Sequence, residues 1–177
     1  MKKKLIIIIA ITLILSIGTY IFLSKETEAK IFKEEYEAYN EKYIKLNIDK
    51  KNPIKYLNDE TIIKNFQGKD KVIYIASPQD NNSRKATKIL LDLAKENGIE
   101  EIYYYNPDKI IKEKNNEIYK QLNKNLNQKE LILPTLMLIK NEKIEEIYQN
   151  KEFNKKELTE KYERILIKYT LCTAECN

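Results

Sequence analysis

Apolar positions recur along this chain in three rhythms, and each rhythm predicts a different kind of element. The first has no polar interruption: LIIIIAITLILSIGTYIFL, Leu5 to Leu23, runs nineteen residues without a charge. At about 1.5 Å per residue such a helix spans roughly 28 Å, close to the hydrocarbon thickness of a bilayer. The second rhythm is helical. In KETEAKIFKEEYEAYNEKY, Phe32, Tyr36, Tyr39 and Tyr43 follow one another at spacings of four, three and four. That stripe predicts a helical stalk packed onto the domain behind it. The third rhythm is the short apolar run of a strand, and IKLNI, residues 44–48, is expected as the first of these.

Pro53 then breaks the chain, and NDETIIKNFQG predicts a helix capped by Asn58 or Asp59 and stopped by Gly68. Val72–Ala76 is apolar throughout, as a strand buried on both faces must be. The following helix sets Ala86, Ile89, Leu90, Leu93 and Ala94 on one stripe and closes at Gly98. IEEIYYYN is another strand. Pro107-Asp108 opens a helix whose apolar positions are Ile111, Ile118, Leu122 and Leu126. LILPTLMLIKNEKIEEIYQ makes two strands joined by a tight turn at Lys140-Asn141-Glu142. A last helix covers about 154–171, with Leu158, Tyr162, Ile165 and Tyr169 facing inward.

The resulting order, β-α-β-α-β-α-β-β-α, is that of an α/β domain with a central mixed sheet and helices on both faces. A buried strand followed by a crossover helix requires parallel pairing in the middle, and the closing hairpin is antiparallel. Pro134 heads an inner strand, where it cannot donate to the ladder, and a cis peptide bond is expected there.

Composition removes most chemistry. The 177 residues contain no histidine, two cysteines and three isolated glycines, Gly18, Gly68 and Gly98. Ser-His-Asp hydrolysis, Cys-His proteolysis, zinc sites, Walker loops and dinucleotide fingerprints are excluded, and neither a metal nor a cofactor is expected. Charged residues make up 33% and hydrophobic residues 42%, suiting a folded body. The net charge is +5, but Lys2, Lys3 and Lys4 contribute three of it and the rest is mixed along the chain. No basic face for nucleic acid is expected. Those three lysines orient the apolar run instead. They stay cytoplasmic, so the domain is expected outside the cell membrane on a single-pass anchor. A cleaved signal peptide is the alternative. The expected parts are a basic tail at 1–4, an anchor at 5–23, a stalk at 24–42, the domain at 43–171 and a tail at 172–177.

VIYIASPQDNNSRKATKILLDLAKENGIEEIYYYNP together with LPTLMLIKNEKI resembles a thioredoxin-like domain. More narrowly, the chain is similar to membrane-anchored, extracellular thioredoxin-like proteins of Gram-positive bacteria, including bacteriocin transport accessory proteins. The upstream EEYEAYN…YIKLNIDKKNPIKY and the closing LCTAEC share in the likeness, which runs from about Glu34 to Cys176. In that family a Cys-x-x-Cys stands at the start of the long helix. Its cysteines fall here on Asp80 and Ser83, before Arg84-Lys85, and its cis-proline falls on Pro134. The resemblance thus implies a degenerate redox site at Asp80 and Ser83, facing a peptide groove at Leu133, Pro134 and Thr135. A thiolate at a helix start is the attacking species in disulfide exchange, and neither aspartate nor an unactivated serine replaces it. Asp80-Asn81-Asn82-Ser83 also reads as ordinary N-cap chemistry. Asn81-Asn82-Ser83 matches a glycosylation acceptor, which the bacterial-looking composition discounts.

Cys172 and Cys176 remain. Four apart on a helix, their Cα atoms would stand about 6 Å apart, within disulfide range. Outside the membrane a terminal disulfide is expected, with a labile redox pair as the alternative. Three functions follow. The leading one is a membrane-anchored, extracellular thioredoxin-fold protein that binds a secreted or membrane polypeptide without catalysis. The others are an oxidoreductase using Cys172 and Cys176, and a bacteriocin export or accessory role.

Overall fold

The structure is a computed structural model that describes residues 28–113, 116–149 and 152–175, with the side chains of 173–175 left aside. The anchor expected at 5–23 and Cys176 lie outside the described residues, and no helix among those residues is long and apolar enough to cross a membrane.

Five strands form one mixed sheet in the order β1-β3-β2-β4-β5. They are β1 (Ile54–Tyr56), β2 (Lys71–Ile75), β3 (Ile102–Tyr105), β4 (Thr135–Lys140) and β5 (Lys143–Gln149). β1, β3 and β2 are parallel. β4 runs antiparallel to β2, and β5 to β4. The β4–β5 turn is Asn141-Glu142, both residues at positive φ (49° and 61°), the backbone hand that matches the strand twist. The Leu133–Pro134 peptide bond is cis, as expected.

Helix α1 occupies 28–37, α3 is Asn81–Glu96 and α6 is Lys155–Glu175. These three cover one face, where Phe32, Tyr36, Leu90, Tyr104, Leu136 and Tyr162 share a core. On the other face, α2 (Asp59–Ile62), α4 (Asp108–Lys112) and α5 (Glu117–Asn125) bury Ile62, Ile110 and Leu122 against Ile73, Met137 and Ile139. α3 ends in a Schellman motif. Gly98 sits at φ +64°, and Ile99 N–H donates to Ala94 O at 2.9 Å.

Three expectations change. First, 44–48 is not a strand. Its backbone is bonded by side chains of the N-terminal segment instead of by a neighbouring strand. Leu46 exchanges two 2.8 Å bonds with the Asn40 carboxamide. Ile48 N–H donates to Glu37 Oε1 at 3.1 Å, and Ile48 O accepts from Lys33 Nζ at 2.7 Å. With those groups satisfied there is no requirement for sheet pairing, and the first strand is Ile54–Tyr56. Second, the helix expected to pack onto the domain does so deeply enough to be part of its core. Phe32 and Tyr36 have no exposed surface, and Phe32 packs edge-on against Tyr104 at 4.8 Å. Third, the helix expected through Ile111 to Leu126 is two helices. Asn116 turns its carboxamide onto Ile118 N–H at 2.8 Å and starts α5 afresh, the competition with helix continuation for which asparagine is suited. Ile110, not Ile111, is the fully buried position.

Tyr36, Tyr74, Tyr104 and Tyr162 are wholly buried, and desolvation pushes all four phenols above their ordinary range. In the unfolded chain a phenol ionises near pH ~10. The stabilisation is therefore complete below that pH and lost above it, because only the unfolded state can release the protons. In an alkaline titration followed at 295 nm, buried tyrosines among the 13 in the chain should ionise only together with loss of far-UV dichroism. Smooth ionisation of all of them near pH 10 with dichroism retained would contradict this packing.

Candidate functional site

The upper end of the sheet is defined by the C-termini of β1, β3 and β2. There the ladder continues one residue past β2, with Ala76 N–H donating to Tyr105 O at 3.2 Å, before the chain turns through Ser77, Pro78 and Gln79. Ser77 Oγ accepts from Gln79 N–H at 3.0 Å and Ser77 O from Asp80 N–H at 3.3 Å, which aims the chain into α3. Asp80 is the N-cap, in extended conformation, and its Oδ2 accepts from Ser83 N–H at 2.6 Å. The helix-start amide that could stabilise another anion is thus occupied by the carboxylate of its own cap.

Ser83 is fully buried. Its carbonyl accepts from Tyr74 OH at 3.1 Å, while its hydroxyl has no hydrogen-bond partner. Thr135 pairs with Ile75 in the ladder, so Leu133 and Pro134 arrive at the same upper end as Ala76 and Ser77. Pro134 is buried and Leu133 half-buried. Thr135 Oγ1 donates to Ile132 O at 2.6 Å and accepts from Gln149 Nε2 at 3.1 Å, which fixes this loop to the end of β5. The five residues expected around a groove, Asp80, Ser83, Leu133, Pro134 and Thr135, therefore do share one end of the sheet.

Cys172 does not join them. Tyr162 of α6 packs on Tyr74 and Tyr148, and Arg164 and Lys168, further along the helix, both pair with Glu146, opposite Leu138. α6 therefore descends from the site end. Ten residues below Tyr162, roughly 15 Å along the axis, Cys172 lies at the other end, buried to 7% exposure. Its expected pairing with Cys176 falls outside the described residues.

Arg84 was not foreseen as a site residue. It is fully buried. Nε donates to Ile44 O at 2.6 Å, Nη1 to Tyr36 O at 2.8 Å and to Pro78 O at 2.9 Å, and Nη2 to Asn40 Oδ1 at 2.6 Å. One planar guanidinium thus joins α1, the 44–48 segment and the site loop, a geometry for which its fork of donors is suited. Burial pulls its pKa down from the ordinary value. Asn81 Oδ1 adds a bond from Ile44 N–H at 3.0 Å, so the 44–48 segment borders the helix start directly. The signal was present in the sequence. Arg84 lies one helical turn before Thr87, on the flank of the α3 stripe that faces inward.

A concavity of about 980 Å³ lies elsewhere, between the 46–53 segment and the outer side of α3, with Ile48, Leu91 and Ile99 in its wall. A smaller one of about 410 Å³ opens at the ends of β1 and β3 beside Tyr56 and Tyr105. Those two phenols donate to Glu35 Oε2 at 2.5 Å and Asp59 Oδ1 at 2.7 Å. Among the described residues no group of His, Cys, Asp and Glu is arranged to hold a metal.

No family model matches the chain, and no curated protein matches it. Among solved structures it is similar to oxidised thioredoxin from Plasmodium falciparum, at 9% identity, TM-score 0.45, over 66% of this chain and 97% of that one. It is also similar to reduced desulfothioredoxin from Desulfovibrio vulgaris Hildenborough, at 18% identity, TM-score 0.45, over 64% and 99%. For thioredoxin from Fasciola hepatica the identity is 19% and the TM-score 0.39, over 60% and 89%. The fold itself is a mixed α/β sheet in the order β1-β3-β2-β4-β5, with the change from parallel to antiparallel pairing at β2/β4 and helices on both faces.

Two substitutions separate the cap from the bolt. Asp80→Ala removes one N-cap bond and should cost about 1 kcal/mol. Arg84→Met leaves three carbonyls and Asn40 short of a donor, and with about 1–3 kcal/mol for each buried group left unpaired it should cost about 3 kcal/mol or more. Urea unfolding checks both. An Arg84→Met protein within 1 kcal/mol of wild type would refute the role given to Arg84.

Proposed function

We propose that this protein is a membrane-anchored, extracellular thioredoxin-fold module that binds polypeptide and carries out no thiol–disulfide exchange. The observation supporting this is the occupancy of the helix start. The two positions that the resemblance assigns to a dithiol hold a capping carboxylate, Asp80, and a buried hydroxyl, Ser83. Exchange requires a thiolate to attack a disulfide sulfur, and neither group can form the mixed disulfide. Binding makes no such demand. A loop that presents backbone groups to an extended segment works through main-chain hydrogen bonds and side-chain seats. Leu133, Pro134 and Thr135 are the residues to which we assign that contact, with Asn81, Asn82 and Ile44 on the opposite side. The partner class is a secreted or membrane polypeptide, in keeping with the likeness to bacteriocin transport accessory proteins. Exchange through Cys172 and Cys176 is the poorer reading, since Cys172 is buried in α6 at the far end from the loop.

In an insulin-reduction assay with dithiothreitol the wild-type protein should show background turnover only, whereas Asp80→Cys combined with Ser83→Cys should gain it. A carboxymethylated, unfolded polypeptide should bind with measurable fluorescence anisotropy. Leu133→Arg, at the half-buried position of the loop, should weaken that binding about tenfold or more with far-UV dichroism retained, and Cys172→Ser should leave it unchanged. Wild-type turnover that disappears in Cys172→Ser would overturn the proposal.

A further inference from the structure

Where the domain meets its anchor determines what the site can reach. Helix α1 runs in the same direction as β1. At its lower end, Ala29 O accepts from Asn52 Nδ2 at 3.1 Å, just before β1, and Glu28 reaches Lys55 in the middle of that strand. At its upper end, Glu35 accepts from Tyr56 OH and from Asn106 Nδ2, and Tyr36 O accepts from Arg84. The chain therefore enters the domain at the end of the sheet opposite Asp80 and Pro134. Only Ser24, Lys25, Glu26 and Thr27 separate Leu23 from Glu28, and four residues reach at most about 14 Å.

A second observation marks the same end. Ile31, Ile167 and Leu171 are the three most exposed large apolar side chains among the described residues, at 48%, 43% and 61%. Ile31 lies in the lower turns of α1. Ile167 and Leu171 lie on the descending half of α6, where the Tyr169 phenol is pushed up first by burial and then by the nearby charges of Glu101 and Asp70, just before β3 and β2. Ile147 and Ile44, at 37% and 36%, are less exposed, and Ile44 borders the site end; the three most exposed side chains share the lower end, as expected where a domain meets another apolar or interfacial phase.

We infer that the lower end of the domain rests against the lipid headgroups through Ile31, Ile167 and Leu171, so that the site faces away from the membrane. This rests on the reading of residues 5–23 as an anchor. The ten residues of α1 rise roughly 15 Å, and Arg84 bolts the top of that helix to the site loop, so the site stands at a set height, roughly 15–30 Å above the end of the anchor. The guest is accordingly a polypeptide approaching from outside, or a partner's projecting loop, and not a segment embedded in the bilayer.

The test uses the full chain in liposomes, in a Cys172→Ala, Cys176→Ser background carrying a fluorophore on either Leu171→Cys or Asn82→Cys. Nitroxide on the lipid headgroups should quench the label at 171 strongly and leave the label at 82 close to its unquenched intensity. Equal quenching at both positions, or stronger quenching at 82, in protein that floats with the vesicles would overturn the orientation while leaving the anchor intact. Failure to float would overturn the anchor and the orientation with it. Amide exchange of the unmodified chain in lipid nanodiscs against detergent provides a check free of substitutions. Peptides covering 28–32 and 166–172 should gain protection in the nanodisc and those covering 79–84 and 132–136 should not. The reverse pattern would overturn the inference.

Discussion

A guanidinium removed from water must find acceptors for its donors, and Arg84 finds them in the backbone of two distant stretches, in the site loop and in Asn40. Tyr36 O, Ile44 O and Pro78 O are neutral oxygens, as is Asn40 Oδ1. Such an arrangement is costly to assemble and costly to disturb. Desolvation of the charge is offset only while every bond is made, so the segments that supply the acceptors are held in one relative position. Tyr36 supports the same joint from below. Its ring lies 5.7 Å from the Arg84 guanidinium carbon, and its hydroxyl accepts from Thr87, which in turn is bonded to Tyr74 of β2.

From that joint the rest of the N-terminal region follows. Asn40 both accepts from Arg84 and exchanges two bonds with Leu46, so the buried charge and the 44–48 segment are fixed by one carboxamide. Lys33 and Glu37 do the same for Ile48 one turn lower. A stretch whose composition reads as a strand is thereby held as an extended strap along α1 and α3, and its Ile44 end borders the start of α3 at Asn81. The site is therefore bounded by more than the sheet and its covering helices. It has the cis-proline loop on one side and the strap on the other, with a capped helix start between them where sulfur is absent.

The sheet was legible because its strands are short apolar runs bounded by turn residues and its long helices repeat every 3.6 residues; Val72–Ala76, the stripe of α3 and the Asn141-Glu142 turn all read directly. What stayed hidden depends on partners far away in the chain. Nothing local to IKLNI announces that its amides are taken by Glu37 and Asn40, and a pattern rule must then assign it to a sheet. The break before α5 is a choice made by one asparagine against an otherwise helical spacing. At the site, Asp80 as a cap could be recognised, since aspartate before an amphipathic run is a strong local signal. The burial of Arg84 could not be recognised from charge, because a cation next to a helix start is usually solvated; only its place on the inward flank of the α3 stripe hinted otherwise.

The most direct measurement is native-state hydrogen exchange at the Leu46 and Ile48 amides, whose acceptors are the Asn40 and Glu37 side chains. If Arg84 binds strap, helix and site loop into one body, both amides exchange in the wild-type protein only through openings nearly as costly as global unfolding. In Arg84→Met they shift to a cheaper local opening while the β2 amides keep their protection relative to global stability. Exchange of the wild-type strap at the rate of an unstructured chain, or strap protection that tracks the core unchanged in Arg84→Met, would contradict the account.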